Sequence, residues 1–207
     1  MTEREKIHSG LIYQPNDPSI MAEQLIYFDK LKQYNDLPHV PMDLREAMLK
    51  ELFAEVGENT YVESPFYANW GGHHVHLGRN VYINIGVTMV DDTHIYIGDY
   101  TMLGPNVTIA TAGHPIDPEL RSRGLQYNLP VRIGKNCWLG AGVIVMPGVT
   151  IGDNTVIGAG SVVTKDIPSG VVAVGNPCRV LREVGERDRE FYYQDRRIDP
   201  ALWEDAK

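Results

Sequence analysis

Residues 131–163 read VRIGKNCWLGAGVIVMPGVTIGDNTVIGAGSVV, and an aliphatic side chain returns there at every sixth position: Ile133, Leu139, Val145, Ile151, Ile157 and Val163. Two residues before each stands a small or β-branched one, Val131, Cys137, Val143, Val149, Thr155 and Ser161. Outward from this stretch the first rank continues through Leu77, Ile83, Ile97, Leu103 and Ile109, and the second through Val75, Val81, Val87, Ile95, Thr101 and Val107. Glycine follows most of the first rank, at Gly78, Gly98, Gly104, Gly134, Gly140, Gly152 and Gly158, which sets the bulky side chain inward and a flexible residue at the bend. A helix repeats at about 3.6 residues and a lone exposed strand at about 2, whereas a period of six with glycine at a fixed offset fits one short strand and one turn. Three such units close a triangular coil, and stacked coils bury the aliphatic rank in one continuous core with few exposed edges. A β-sandwich with turn-rich strands explains alternation but not the strict six.

N-terminal to the hexads, Met21, Leu25, Phe28 and Leu31 follow Asp17-Pro18-Ser19 at helical spacing, with Ser19 placed as a cap. Asp43 with Glu46 forms a capping-box pattern ahead of Leu44, Ala47, Met48, Leu52 and Phe53, with Gly57 as the stop and His39-Val40-Pro41 as the break between the helices. The expected organisation is therefore a helical cap over 1–57, a β-helix over 58–166, and a polar tail over 167–207. The period breaks twice, slightly at Asp91-Asp92-Thr93-His94 and at length over 111–130, which is expected to project as an arm; loops leaving solenoid corners often carry function.

Composition narrows the partners. With 27 acidic against 19 basic residues the formal charge is −8, which argues against general binding to nucleic acid or to anionic membranes. No apolar run approaches the roughly 20 residues of a membrane span, and Met1-Thr2-Glu3-Arg4-Glu5-Lys6 lacks the apolar centre of a signal peptide, so a cytoplasmic location is expected. Cys137 and Cys178 are too few and too distant for a disulfide framework or a zinc motif, and Cys137 reads as a small buried hydrophobe.

Taken with the hexads, the stretches Glu55-Val56-Gly57-Glu58-Asn59, Val90-Asp91-Asp92, Pro105-Asn106-Val107-Thr108, Gly113-His114-Pro115, Ile151 through Pro168, and Gly175-Asn176-Pro177-Cys178-Arg179-Val180 make the chain resemble the maltose and galactoside O-acetyltransferases of the hexapeptide-repeat class over nearly its whole length. The resemblance implies a left-handed parallel β-helix, a homotrimer with active sites between subunits, and transfer of an acetyl group from acetyl-CoA to a sugar hydroxyl, with no metal required. It favours a sugar acceptor through the helical cap. An antibiotic or serine acetyltransferase, or an idle trimeric scaffold that binds CoA or a sugar, are the competing readings.

An alcohol needs a base to take its proton as it attacks a thioester, and histidine suits that task near neutral pH. His114 stands in the irregular loop and matches the family's catalytic histidine; the plain alternative is a surface-loop histidine. The oxyanion formed by attack needs a donor, and Asn84, which occupies a glycine position of the pattern, matches a family asparagine in that role, although asparagine is also common at tight turns. Asp92, in the first break, suits vicinal sugar hydroxyls and matches a substrate position. Tyr82 offers a platform or a hydroxyl, Trp70 and Gln126 match acceptor positions that vary in type, and Asp17 either reaches the acceptor or starts the first helix. For coenzyme A the resemblance points to Ala141 and Ala159 beside the pantetheine arm and to Thr164, Lys165, Arg179 and Arg182 at its phosphate end. Trp138 either flanks the thioester or packs within the trimer. His73, His74 and His76 raise a metal site like that of the γ-class carbonic anhydrases, but His74 and His76 are expected on one strand face with His73 on the other, and no His-x₄-His pair stands near His114.

Overall fold

Three parallel sheets run the length of the molecule, and the chain visits them in turn. The computed structural model describes residues 1–37 and 42–203. Sheet I stacks Glu55–Val56, Val75–Leu77, Ile95–Ile97, Val131–Ile133 and Thr150–Ile151. Sheet II stacks Tyr61–Val62, Tyr82–Ile83, Met102–Leu103, Trp138–Leu139, Val156–Ile157 and Val171–Val174, and sheet III stacks Tyr67–Ala68, Thr88–Val90, Thr108–Ala110, Ile144–Val145 and Val162–Val163. Register follows the hexads: Ile133 pairs with Ile97 and Ile151, Leu139 with Leu103 and Ile157, Val145 with Ile109 and Val163. Both ranks face inward, with no member more than 3% exposed, and Met89 fills the sixth position after Ile83. Each large aliphatic member contributes roughly 1.5–3 kcal/mol by burial, and the hydroxyls among them are satisfied, as where Thr101 donates to the Gly134 carbonyl at 2.8 Å.

The glycines serve a different purpose from the one expected of them. None of those following the aliphatic rank has a positive φ; the left-handed residue lies two positions on, at Asn80, Asn106, Asn136, Asn154, Tyr100, Gly86, Gly142 and Gly160. What the first glycine avoids is the next coil: a Cβ on Gly98 would lie 2.7 Å from the Gly134 carbonyl carbon, and one on Gly140 2.7 Å from the Ala159 nitrogen. Glycine is there for close approach of backbones, while asparagine, glycine or, after Gly98, Tyr100 two residues later supplies the turn.

Helix α1 spans Glu3–Lys6, α2 Pro18–Asn35 and α3 Met42–Leu52. Asp17, not Ser19, caps α2, accepting from the Ser19 N–H and hydroxyl at 2.9 and 2.5 Å, with Pro18 in the first turn where its missing N–H costs nothing. The buried residues of α2 are Ile20, Leu31 and Tyr34, so Met21, Leu25 and Phe28 of the expected stripe face outward. The His39-Val40-Pro41 break, and the Asp43 side chain on which the capping box rests, lie outside the described residues. Helix α3 ends at Leu52, and Gly57 instead sits at a corner of the first coil, bonded through its N–H to the Leu77 carbonyl at 2.9 Å. The solenoid thus starts at Glu55, and it also runs past 166: Ile167 bridges Ile151, Val171–Val174 continues sheet II, and Arg179–Glu183 turns back antiparallel on it.

At the other end, α2 and α3 cover the edge of the first coil with side chains. The Tyr34 hydroxyl and Arg45 guanidinium donate to the Val62 carbonyl at 2.6 and 3.3 Å, and the Asn35 amide both donates to the Phe66 carbonyl and accepts from its N–H, at 2.7 and 3.1 Å.

Candidate active site

Each coil has three corners, and the polar residues do not share them evenly. The corner from sheet III to sheet I carries Trp70, Asp91, Asp92 and the whole 111–130 arm. The arm is a small hairpin, Ala112–Gly113 antiparallel to Tyr127–Asn128, with helix α4 (Pro118–Ser122) at its tip. It folds back on the N-terminal segment, where Tyr13 and Gln126 exchange backbone hydrogen bonds of 2.8 and 3.1 Å.

Between these elements lies a cleft of about 370 Å³ whose walls include Tyr13, Asn69, Trp70, Asp92, His114 and Gln126. The His114 ring is exposed, and its Nδ1 lies 2.8 Å from the Leu125 carbonyl oxygen. A carbonyl can only accept, so Nδ1 carries the proton of the neutral ring and Nε2 is left with its lone pair. Asp92 is buried and held on both oxygens, by Asn69 Nδ2 at 2.9 Å and Gln126 Nε2 at 3.0 Å. Behind it Asp91 accepts from the Trp70 and Gly72 N–H groups at 2.7 and 3.0 Å, yet burial, with Asp92 adding to it, pushes its carboxyl up to about 7. Tyr13 is buried, and burial pushes its phenol up to about 12.

The expected residues divide between corners. Trp70, Asp92, His114 and Gln126 come together in the cleft. Asp17 does not line it; its carboxylate is taken up in capping α2, while its neighbours Pro15 and Asn16 do line it. Tyr82 lies in sheet II, where its hydroxyl donates to Glu63 at 3.3 Å, and Asn84 lies at the corner from sheet II to sheet III, where its Oδ1 accepts from the Ile85 N–H at 2.8 Å. Within one chain, then, Asn84 and His114 are on different corners. Tyr13, Asn69, Asp91 and Asn128 are polar members of this region that sequence reasoning passed over. The spacing of Gln126 and Asn128 about Tyr127 was the available sign, since residues two apart in extended chain share a face.

Two family models match, the bacterial transferase hexapeptide (six repeats) over 130–165 and the maltose acetyltransferase hexapeptide capping motif over 6–57. A galactoside O-acetyltransferase of Lactococcus lactis is 49% identical, over 94% of each chain. Among solved structures, a galactoside acetyltransferase in complex with coenzyme A superposes with a TM-score of 0.92 at 44% identity, over 96% of this chain and 99% of that one. A maltose O-acetyltransferase of Clostridium difficile gives 0.87 at 47%, over 90% and 99%. The chain belongs to the hexapeptide-repeat sugar O-acetyltransferases.

As a member of this acetyltransferase family it has their left-handed parallel β-helix. Along the II/III corner of the acetyltransferase, Ala141 and Ala159 are exposed small residues, each following a glycine that lies against the next coil. Trp138 points outward from sheet II, 53% exposed, in register with Met102, itself 47% exposed. Thr164, Lys165 and Arg179 are exposed, whereas Arg182 is held by Asp188 through two hydrogen bonds of 2.7 Å, which lower the Asp188 carboxyl to about 2. Among the described residues no helix is long and apolar enough to cross a membrane, and no group of three or more His, Cys, Asp or Glu is arranged to hold a metal ion. His74 is buried in the turn before its strand, bonded to the Asp91 carbonyl at 2.7 Å, and does not share the outward strand face with His76.

Proposed function

We propose that the protein transfers the acetyl group of acetyl-CoA to a hydroxyl of a galactoside, glucoside or maltose-like sugar, with His114 as general base. The observation that carries this reading is the His114–Leu125 hydrogen bond, which leaves Nε2 free as a proton acceptor beside a cleft holding the fixed Asp92 carboxylate. Asp92 and Gln126 bind acceptor hydroxyls, with Trp70 as an apolar wall. As the acceptor oxygen attacks the thioester carbon its proton passes to Nε2, the carbon–sulfur bond breaks, and the imidazolium returns the proton to the departing thiolate. The Asn84 Nδ2 donates to the oxyanion. Ala141 and Ala159 let the pantetheine arm lie along the II/III corner, Trp138 flanks it, and Thr164, Lys165 and Arg179 meet the phosphates, joined by Arg182 when it leaves Asp188.

We infer that the working unit is a homotrimer. The support is the separation just described: Asn84 and the alanines occupy one corner and His114 another, so a single chain presents two half-sites, and a head-to-tail contact around a rotation axis brings unlike corners together. The outward Trp138 and Met102 suit burial in such a contact. We place the reaction in the cytoplasm.

Incubation with acetyl-CoA and a panel of galactosides, glucosides, maltose and chloramphenicol, recording thiol release beside a His114→Ala control, tests the reading. Release with sugars that is lost in the control is expected; release with chloramphenicol alone points to an antibiotic transferase, and silence with CoA still bound points to a scaffold.

A further inference from the structure

Two buried amides meet at Tyr13. Gln126 Nε2 lies 2.7 Å from the Tyr13 hydroxyl, 2.9 Å from Asn128 Oδ1 and 3.0 Å from Asp92 Oδ1. Asn128 Nδ2 lies 2.9 Å from the same hydroxyl, 3.0 Å from the Ile7 carbonyl and 3.2 Å from the Asp92 carbonyl. The four amide protons therefore face four oxygens that can only accept, plus the tyrosine. Neither amide can be turned end for end, because Gln126 would then set its oxygen against the Asp92 carboxylate and Asn128 against two carbonyls. The tyrosine oxygen, whichever of these contacts the four protons fill, has only two donor nitrogens for side-chain partners, and its own proton finds no acceptor among the described residues. The hydroxyls of Tyr34 and Tyr82, by contrast, donate to Val62 and Glu63. Tyr13 is only 2% exposed, so bulk water does not readily supply the missing acceptor, yet the residue borders the cleft. A buried donor left unpaired is costly, and sites so built favour ligands that complete them.

We propose that the Tyr13 hydroxyl donates a hydrogen bond to a hydroxyl oxygen of the sugar seated between Asp92 and His114. This rests on the sugar-transferase reading and deepens it. Asp92 accepts from the sugar's O–H groups and Tyr13 donates to one of its oxygens, so together they select a neutral hydroxyl over an ammonium group at that position, since an ammonium has no lone pair to offer.

Tyr13→Phe keeps the ring that packs with Ile7, Ile20 and Trp70 and removes only the donor. In steady-state assays the variant is expected to raise the acceptor KM by about three- to tenfold, the range of one hydrogen bond, with kcat and the acetyl-CoA KM unchanged. A set of monodeoxy acceptors gives the readout that a merely structural role would not move. Wild type loses a similar factor on one of them, and Tyr13→Phe loses nothing further on that same one. An unchanged KM for the parent sugar in Tyr13→Phe overturns the proposal while leaving the transferase reading intact, as does a wild type indifferent to every deoxy position. A wild type that acetylates no sugar overturns both.

Discussion

At the corner between sheets II and III the chain makes nearly the same turn in four successive coils, through Asn84, Gly104, Gly140 and Gly158, each followed two residues on by a left-handed residue. At the corner between sheets III and I it inserts Asn69–His74, then Asp91–His94, then the arm, and there it buries Asp91, Asp92, Gln126 and Asn128. The regular corner presents exposed small residues at a fixed spacing, Ala141 and Ala159 among them, suited to a long flexible ligand whose recognition is repetitive. The irregular one is a set of fixed polar atoms, suited to a compact ligand whose hydroxyls must be told apart. Repetition sets the spacing, and departures from it create room for chemistry.

The sharpest way to break this comparison is to separate the corners onto different subunits. His114→Ala is expected to lower kcat by about 10²- to 10⁴-fold and Asn84→Ala by about 10²-fold. If each site takes one residue from each of two protomers, trimers reassembled from an equal mixture of the two variants regain about a quarter of wild-type turnover. No recovery after verified subunit exchange would put both residues on one protomer.

The next largest effect concerns what the irregular corner costs the fold. Burial pushes the His74 imidazole down to about 3 from its ordinary 6.5. Its neutral form is favoured by folding, so this contribution is full above pH 6.5 and is lost as pH falls toward 3, on the order of 5 kcal/mol in all. Asp91 works in the opposite sense. Its carboxyl is pushed up from 3.8 to about 7, so its contribution is full below pH 3.8 and is lost as pH rises through 7. Melting curves of His74→Gln against wild type should therefore show the variant gaining relative stability on acidification, while Asp91→Asn gains on alkalinisation. Differences independent of pH would mean that neither burial matters.

Smaller effects test the regular corner. Gly140→Ala places a Cβ 2.7 Å from the next coil's backbone and should cost about 1–3 kcal/mol in denaturant unfolding. Gly142→Ala meets nothing within 4 Å and carries only the penalty of its φ of +67°, about 1 kcal/mol. Smallest of all, Asp188→Asn frees Arg182 and should lower the acetyl-CoA KM by less than about threefold, as befits an exposed ion pair; an increase would show that the pair helps shape the site.

Most of the scaffold was legible because the period of six is forced by geometry: one strand, one turn, three to a coil. The glycines were read as bends because a sequence does not distinguish a residue needed for its φ from one needed for its missing Cβ. The outward stripe of α2 was misjudged because Met21, Leu25 and Phe28 satisfy the helical spacing as well as Ile20, Leu31 and Tyr34 do, and only packing chooses between faces. His114, Asp92 and Gln126 stood out at the breaks in the pattern and by resemblance. Tyr13 did not, because its partner is more than a hundred residues away and nothing local announces the contact.

The covered ends of the solenoid also bear on how the protein behaves in a crowded solution. A stack of parallel coils is a short length of what would otherwise be an indefinite filament, since every coil offers its neighbour the same rows of amides and carbonyls. Tyr34, Asn35 and Arg45 stop it at one end with side chains, and the reversed strand Arg179–Glu183 stops it at the other with a direction that the next coil cannot copy. These terminators set a length limit, and they keep one stack from growing into another end to end.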